Sequence, residues 1–165
     1  MGEPVIINKV KEEWGSLGNM SKHPIKGDVK GEAIIWPRSE HLFQALRLSC
    51  AKTREEIRAI SNPMAAKMHA KKFIREHPDK VVVQPMSKRD LFNMRLVLGI
   101  KLKQHEDVRE LLILTGDREI IEDATKRQRD SGLFWGAALQ EDGTWKGENW
   151  LGRLWMELRQ DLLSK

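Results

Sequence analysis

Apolar and polar positions along this chain follow two periods, and the change falls near Ser39. Before it, Val5-Ile6-Ile7 and Ala33-Ile34-Ile35-Trp36 are short β-branched and aromatic runs set among Gly15, Gly18, Gly27 and Gly31, and both read as strands. From Ser39 onward the helical period dominates. Leu42, Phe43, Leu46 and Leu48 give an apolar face to a helix over 40–50, with Ser39 at its N-cap. Thr53 and Glu56 have the spacing of a capping box for a helix over 54–60, and Asn62-Pro63, an N-cap followed by proline at the first helical position, opens one over 63–76. Ser87 starts a helix to about residue 104, with Leu91, Met94, Leu98 and Leu102 on its apolar side; another fits 107–115 and the last covers 150–163. Val81-Val82-Val83 is a short strand or an extended link, and Glu119-Ile120-Ile121-Glu122 a strand. The pattern predicts an α+β fold, mostly helical with a small β-sheet, in a single domain over 1–165.

Near the C-terminus glycine interrupts the pattern, in Phe134-Trp135-Gly136 and Gly147-Glu148-Asn149-Trp150-Leu151-Gly152. Glycine is preferred where the backbone takes a positive φ or passes close to a ligand, so Trp135 and Asn149 read as parts of a cleft wall. The plainer reading is a hairpin turn followed by a helix start. Trp135, before Gly136, presents its indole to a base or fills the core, the commoner fate of a large aromatic side chain. Asn149 suits a ribose hydroxyl, the N-cap of the last helix, or both.

The first helix carries a second constellation. Glu40, Gln44 and Arg47 stand at i, i+4 and i+7 and share one face. A solvated polar row is the usual meaning of that spacing, but here the carboxylate lies in the first turn, where the helix dipole favours its ionised form by roughly 0.3–1 kcal/mol. A carboxylate, an amide and a guanidinium in line can also grip a sugar phosphate. Arg47 and Lys67 are the cations for a phosphate, each otherwise a surface charge. Met94 reads as core, and Lys101 and Arg159 as ion-pair members on the polar sides of their helices.

A chain of 165 residues buries a core without staples, and 40% apolar content fits an ordinary globule. Its single cysteine, Cys50, excludes an intramolecular disulfide and points to a reducing, cytoplasmic setting. No apolar run reaches bilayer length, and Met1-Gly2-Glu3-Pro4 lacks the basic-then-apolar order of a signal peptide. The net charge of +5 suits an anionic ligand. Its clusters, Lys71-Lys72, Lys88-Arg89 and Lys126-Arg127-Gln128-Arg129, are solvated faces by default and phosphate or nucleic-acid contacts as the second reading.

His23, His41, His69, His77 and His105 show no metal-ligand spacing, and the chain has no phosphate-cradling glycine loop and no Gly-x-Ser-x-Gly elbow. What remains is metal-free, cofactor-free chemistry at a carboxylate.

Taken in order, these segments resemble the NADAR superfamily, the YbiA-like N-glycosidases. The resemblance rests on Ser39-Glu40-His41-Leu42-Phe43-Gln44-Ala45, Asn62-Pro63-Met64-Ala65-Ala66-Lys67, Met94 with Lys101, Leu114-Thr115-Gly116-Asp117, Trp135-Gly136, and Gly147, Asn149, Leu151-Gly152, Met156 and Arg159. It spans about residues 15–162. It implies hydrolysis of the bond between a ribose phosphate or ADP-ribose and a nitrogenous base. The substrate is then an ADP-ribosylated base such as guanine, free or within nucleic acid, or a ribosylamino-pyrimidine of riboflavin synthesis. The alternative is a catalytically silent module on the same fold that binds ADP-ribose-like nucleotides or a protein partner. The glutamate of the family's Glu-His-x-x-Gln motif is its catalytic carboxylate, and Glu40 matches it. Such a bond breaks through an oxocarbenium-like transition state, which a fixed carboxylate stabilises while it activates water. Asn19, Gln44, Arg47, Lys67, Trp135, Gly136 and Asn149 are the substrate-binding candidates. The chain departs from the family at Met86, where many relatives carry tryptophan, and at Gly132, where they carry aspartate. Their early Ser-Asn-Phe appears here as Gly18-Asn19-Met20. Asp130, two residues upstream of Gly132, substitutes as a catalytic carboxylate only if the loop Ser131-Gly132-Leu133 is longer here and folds back.

Overall fold

A computed structural model describes residues 2–29 and 32–165, which leaves the predicted turn glycine Gly31 outside the described residues. Two compact units form, one from Met1–Gly18 with Glu106–Lys165 and the other from Asn19–His105.

In the unit Asn19–His105, strands β2 (Ile25–Val29) and β3 (Glu32–Trp36) pair antiparallel, from Ile25 opposite Trp36 to Val29 opposite Glu32. β3 matches the expected strand, whereas β2 carries little strand signal, because Ile-Lys-Gly-Asp-Val puts charge and glycine between its apolar ends. Four helices of this unit follow: α1 (Ser39–Ala45), α2 (Ala51–Ala59), α3 (Pro63–Glu76) and α4 (Lys88–Gln104). Leu48, Ile57, Ala66 and Ala70 form a buried cluster with Ile60, Phe73, Ile74 and Val81 packed on it. Each fully buried Leu or Ile of that kind stabilises by roughly 1.5–3 kcal/mol.

The helix signals fared unequally. Asn62 caps α3, accepting from the Ala65 N–H at 3.0 Å, and Ser87 caps α4, accepting from the Asp90 N–H at 3.2 Å. Ser39 is not an N-cap. It is the first residue of α1, and its hydroxyl donates to the Asn19 carbonyl at 3.0 Å. That same carbonyl accepts from the Glu40 N–H at 3.1 Å, so a peptide twenty residues upstream satisfies the helix start. α1 ends five residues early, because Leu48 leaves to pair with Val81 in an isolated antiparallel bridge. The Thr53–Glu56 capping box is also absent: α2 begins at Ala51, and the Thr53 hydroxyl donates to Cys50 Sγ at 3.3 Å from inside the helix.

In the other unit, β1 (Val5–Ile7) pairs in parallel with β4 (Ile120–Glu122). α5 (Glu106–Leu114) precedes β4; α6 (Ser131–Trp135), a hairpin of β5 (Ala138–Leu139) and β6 (Trp145–Lys146), and α7 (Trp150–Leu163) follow it. α7 buries Leu151, Leu154, Trp155 and Leu158, and the Trp155 indole N–H donates to the Leu17 carbonyl at 2.7 Å. The plainer reading of the glycine-rich stretch, hairpin then helix, is what forms. Among the described residues, no helix is long and apolar enough to cross a membrane.

Candidate active site

The polar row that starts on α1 and runs into the turn after it is buried, with Glu40 6%, Gln44 3% and Arg47 8% exposed, so the solvated-face reading does not hold. Gln44 Nε2 donates to Glu40 Oε1 at 2.8 Å, and Arg47 Nη1 donates to Gln44 Oε1 at 3.1 Å. Arg47 departs from the phosphate contact expected of it. Its Nε and Nη2 hold the Asp90 carboxylate at 2.9 and 2.6 Å, and its guanidinium lies 4.6 Å from the Phe43 ring centre. The physical reason is burial: a desolvated guanidinium needs a counter-ion in the protein, and a fork-to-carboxylate pair is the strongest available. Sequence reading missed Asp90, which is fully buried. Its one signal was its place three residues after Ser87, an acid in the first turn of α4.

Asn19 serves this region with its side chain as well as its carbonyl. Its Oδ1 accepts from the Ser39 hydroxyl at 3.1 Å, and its Nδ2 lies 3.1 Å from Met94 Sδ, with Met94 in the core as expected. His41, beside Glu40, has no exposed surface. Its Nε2 lies 2.7 Å from the Ile60 carbonyl and therefore carries the proton, and Nδ1 has no hydrogen-bond partner among the described residues. Burial, more than any charge nearby, pulls the His41 pKa below the ordinary 6.5, with the Ile60 carbonyl and Glu40 opposing. Lys67, on α3, is half-buried and makes no ion pair or side-chain hydrogen bond among the described residues. Lys101 is not on a polar helix side. It is fully buried and donates to Ser21 Oγ at 2.6 Å.

In the unit containing α7, the two glycine-framed segments are stitched together. The Asn149 N–H donates to the Gly136 carbonyl at 3.0 Å, and the Glu148 N–H to the Leu133 carbonyl at 2.7 Å. Gly147 makes the stitch possible: its φ is 146°, and a Cβ there would lie 2.5 Å from the Gly136 carbonyl oxygen. Trp135 ends α6 half-buried, edge-on to Phe134 with ring centres 4.9 Å apart, and is not a core tryptophan as Trp36 and Trp155 are. Asn149 stands at the N-cap position of α7 with φ 53°, but its side chain caps nothing. Its Nδ2 donates to the Ile120 carbonyl at 2.8 Å, and its Oδ1 accepts from the Glu122 N–H at 3.0 Å. The amide expected to serve as helix cap and ribose ligand is thus committed to β4, because those two strand groups face it.

Asp130 is exposed, with φ 45° and no side-chain cap bond. Ser131, Gly132 and Leu133, expected as a loop after it, instead open α6, where the Gly132 N–H donates to the Arg129 carbonyl and a Gly132 Cβ would fall 2.0 Å from the Arg127 carbonyl oxygen, so no side chain fits at 132. Arg159 is a further correction. It is buried, donating from Nη1 to Thr115 Oγ1 and the Arg118 carbonyl, both at 2.9 Å, and burial lowers its pKa against the opposing charge of Asp117.

Known proteins share this arrangement of sequence. The chain is 34% identical to N-glycosidase YbiA of Escherichia coli (strain K12), over 97% of this chain and 90% of that protein, and 36% identical to N-glycosidase YbiA of Shigella boydii serotype 4 (strain Sb227) over the same shares. A riboflavin biosynthesis protein of Vibrio vulnificus (strain YJ016) is 26% identical, over 98% of this chain and 39% of its own length. The NMR structure of E. coli YbiA matches at a TM-score of 0.74 and 33% identity, covering 99% of this chain and 88% of that one. The NADAR domain profile matches residues 7–163, and this chain belongs to the NADAR family.

Proposed function

We propose that this protein is an N-glycosidase, a hydrolase of N-glycosyl compounds in which Glu40 is the reacting carboxylate. The observation that carries the reading is a carboxylate buried on α1 with the Gln44 amide donating to one of its oxygens. Relatives named N-glycosidase YbiA, alike over nearly the whole chain, support the reaction type. As the bond from the anomeric carbon to the base nitrogen breaks, its electron pair leaves with the base and positive charge develops on the ribose. Glu40 faces that charge, then takes a proton from the water whose oxygen bonds to the anomeric carbon. Trp135, half-buried at the end of its helix, stacks on the base, and Lys67 meets the phosphate.

The substrate is an ADP-ribosylated base such as guanine or a phosphorylated ribosylamino-pyrimidine, the second class in keeping with the riboflavin biosynthesis relative. A nucleotide-binding module without turnover is the second reading, favoured by the absence of space for a side chain at Gly132. Incubation with an ADP-ribosylated guanine oligonucleotide and with the pyrimidine, following released base, separates the two. Glu40→Gln is expected to lower kcat on the order of a hundredfold or more and leave affinity within a few fold, since the carboxylate acts mainly in the transition state. Equal turnover by the variant would move the catalyst to another carboxylate, with Asp130 next, and binding of ADP-ribose without turnover of either substrate would establish the silent module.

A further inference from the structure

Resting on the assignment of Glu40, we propose that Asp90 is a positioning residue for that carboxylate, acting through Arg47 and Gln44. Four buried side chains, from α4 to the start of α1, form one chain of hydrogen bonds: Asp90 to Arg47 at 2.9 and 2.6 Å, Arg47 to Gln44 at 3.1 Å, Gln44 to Glu40 at 2.8 Å. Its direction is fixed by chemistry at the Arg47 link. Arginine has donors only, so Gln44 must turn its carbonyl to Arg47 and its NH₂ to Glu40. Glu40 therefore always meets a donor. An inverted amide would set two oxygens against each other.

Asp90 decides where the guanidinium points. Both its oxygens are taken by Arg47, and Oδ2 also accepts from the Met86 N–H at 2.9 Å. The α4 cap holds its backbone, with Ser87 Oγ accepting from the Asp90 N–H. Arg47 is tied as well, its carbonyl accepting from the Val82 and Val83 N–H groups at 2.8 and 3.3 Å and its guanidinium resting over Phe43. Without the Asp90 charge, a buried guanidinium takes another counter-ion. The next carboxylate along the chain of bonds is Glu40, on the far side of Gln44. Asp90 thus keeps Arg47 from neutralising the charge the reaction uses, and its effect on Glu40 is indirect.

The test compares wild type, Asp90→Asn, Arg47→Lys, Glu40→Gln and the double variant Asp90→Asn/Glu40→Gln on whichever of the two substrates is turned over, each variant checked for folding by circular dichroism. Asp90→Asn is expected to lower kcat on the order of ten- to a hundredfold, as small misplacements of a reacting group do, with KM within about threefold. In the Glu40→Gln background the same change should cost less than about twofold, because the group it positions is gone. An equal loss in both backgrounds, or full activity of folded Asp90→Asn, overturns the proposal. If Asp90→Asn does not fold, Arg47→Lys, which keeps the charge and loses the fork, is held to the same criterion. A wild type that hydrolyses neither substrate defeats the enzyme reading alone. The relay is then judged by the Gln44 side-chain amide in NMR: slowly exchanging protons that become fast in Asp90→Asn support it, and exchange unchanged by the substitution refutes it.

Discussion

Two regions of this protein place polar side chains by opposite means. Glu40 and Gln44 on α1 and Arg47 in the turn that follows it are packed in and satisfy one another in sequence, ending on Asp90. Around Trp135, a helix of five residues and a hairpin are joined by backbone hydrogen bonds, and the side chains divide the work: Asn149 secures β4, while the half-buried Trp135 keeps part of its indole open. The first arrangement suits a group whose position must hold to within a fraction of an ångström. The second suits a flat contact that tolerates small shifts, as stacking does.

The largest effect that sharpens this contrast should come from Asn149→Ala. It leaves the Ile120 carbonyl and the Glu122 N–H without their partner, at roughly 1–3 kcal/mol for each group, so urea denaturation should show a loss of stability before any loss specific to substrate. A variant of wild-type stability with weakened substrate binding would reverse the division of labour drawn here. Trp135→Ala comes next. Removal of a stacked ring costs roughly 1–3 kcal/mol of binding, and titration calorimetry with ADP-ribose should show that loss with the unfolding midpoint nearly unchanged. A fall in stability without a fall in affinity would make Trp135 a packing residue.

The smallest effect concerns acid and belongs to the α1 region. With its pKa held below 6.5 by burial, folded His41 stays neutral where the unfolded chain already binds a proton. Above 6.5 the two states match; as pH falls through that value, the unfolded state gains protons and stability declines, until the folded pKa is passed. Urea midpoints measured from pH 7.5 to 5 should fall more steeply for wild type than for His41→Gln. Parallel slopes would assign the acid sensitivity to other groups.

The legible parts of this molecule are those in which the signal is local. Asn62-Pro63 and Ser87 start their helices where they stand, and the spacing of Glu40, Gln44 and Arg47 gives a true row. What stayed hidden depends on a partner far along the chain. Whether that row faced water or protein turned on Asp90, 43 residues from Arg47, and the start of α1 was completed by a carbonyl at Asn19 rather than by Ser39. Asn149, just before Leu151-Gly152, reads as a helix cap, yet the groups it satisfies lie 27 and 29 residues away. The end of α1 is hidden for a like reason, since nothing between Leu46 and Leu48 announces a bridge to Val81.

The bonds made by Asn149 also bear on how the outer edge of β4 is satisfied. In the β1–β4 pair, Glu119 and Asp123 bond toward β1, which turns the backbone groups of Ile120 and Glu122 to the outer edge of the sheet. A carboxamide has the same donor and acceptor as a peptide, and the Asn149 side chain occupies that edge as a strand one residue long, with Ala137 continuing it by bonds to Glu122 and Ala124. Open strand edges recruit other chains. The outer edge of β4 is thus satisfied without a third strand, and aspartate at 149, which lacks the donor, would leave the Ile120 carbonyl without a partner in a buried place under the first turn of α7.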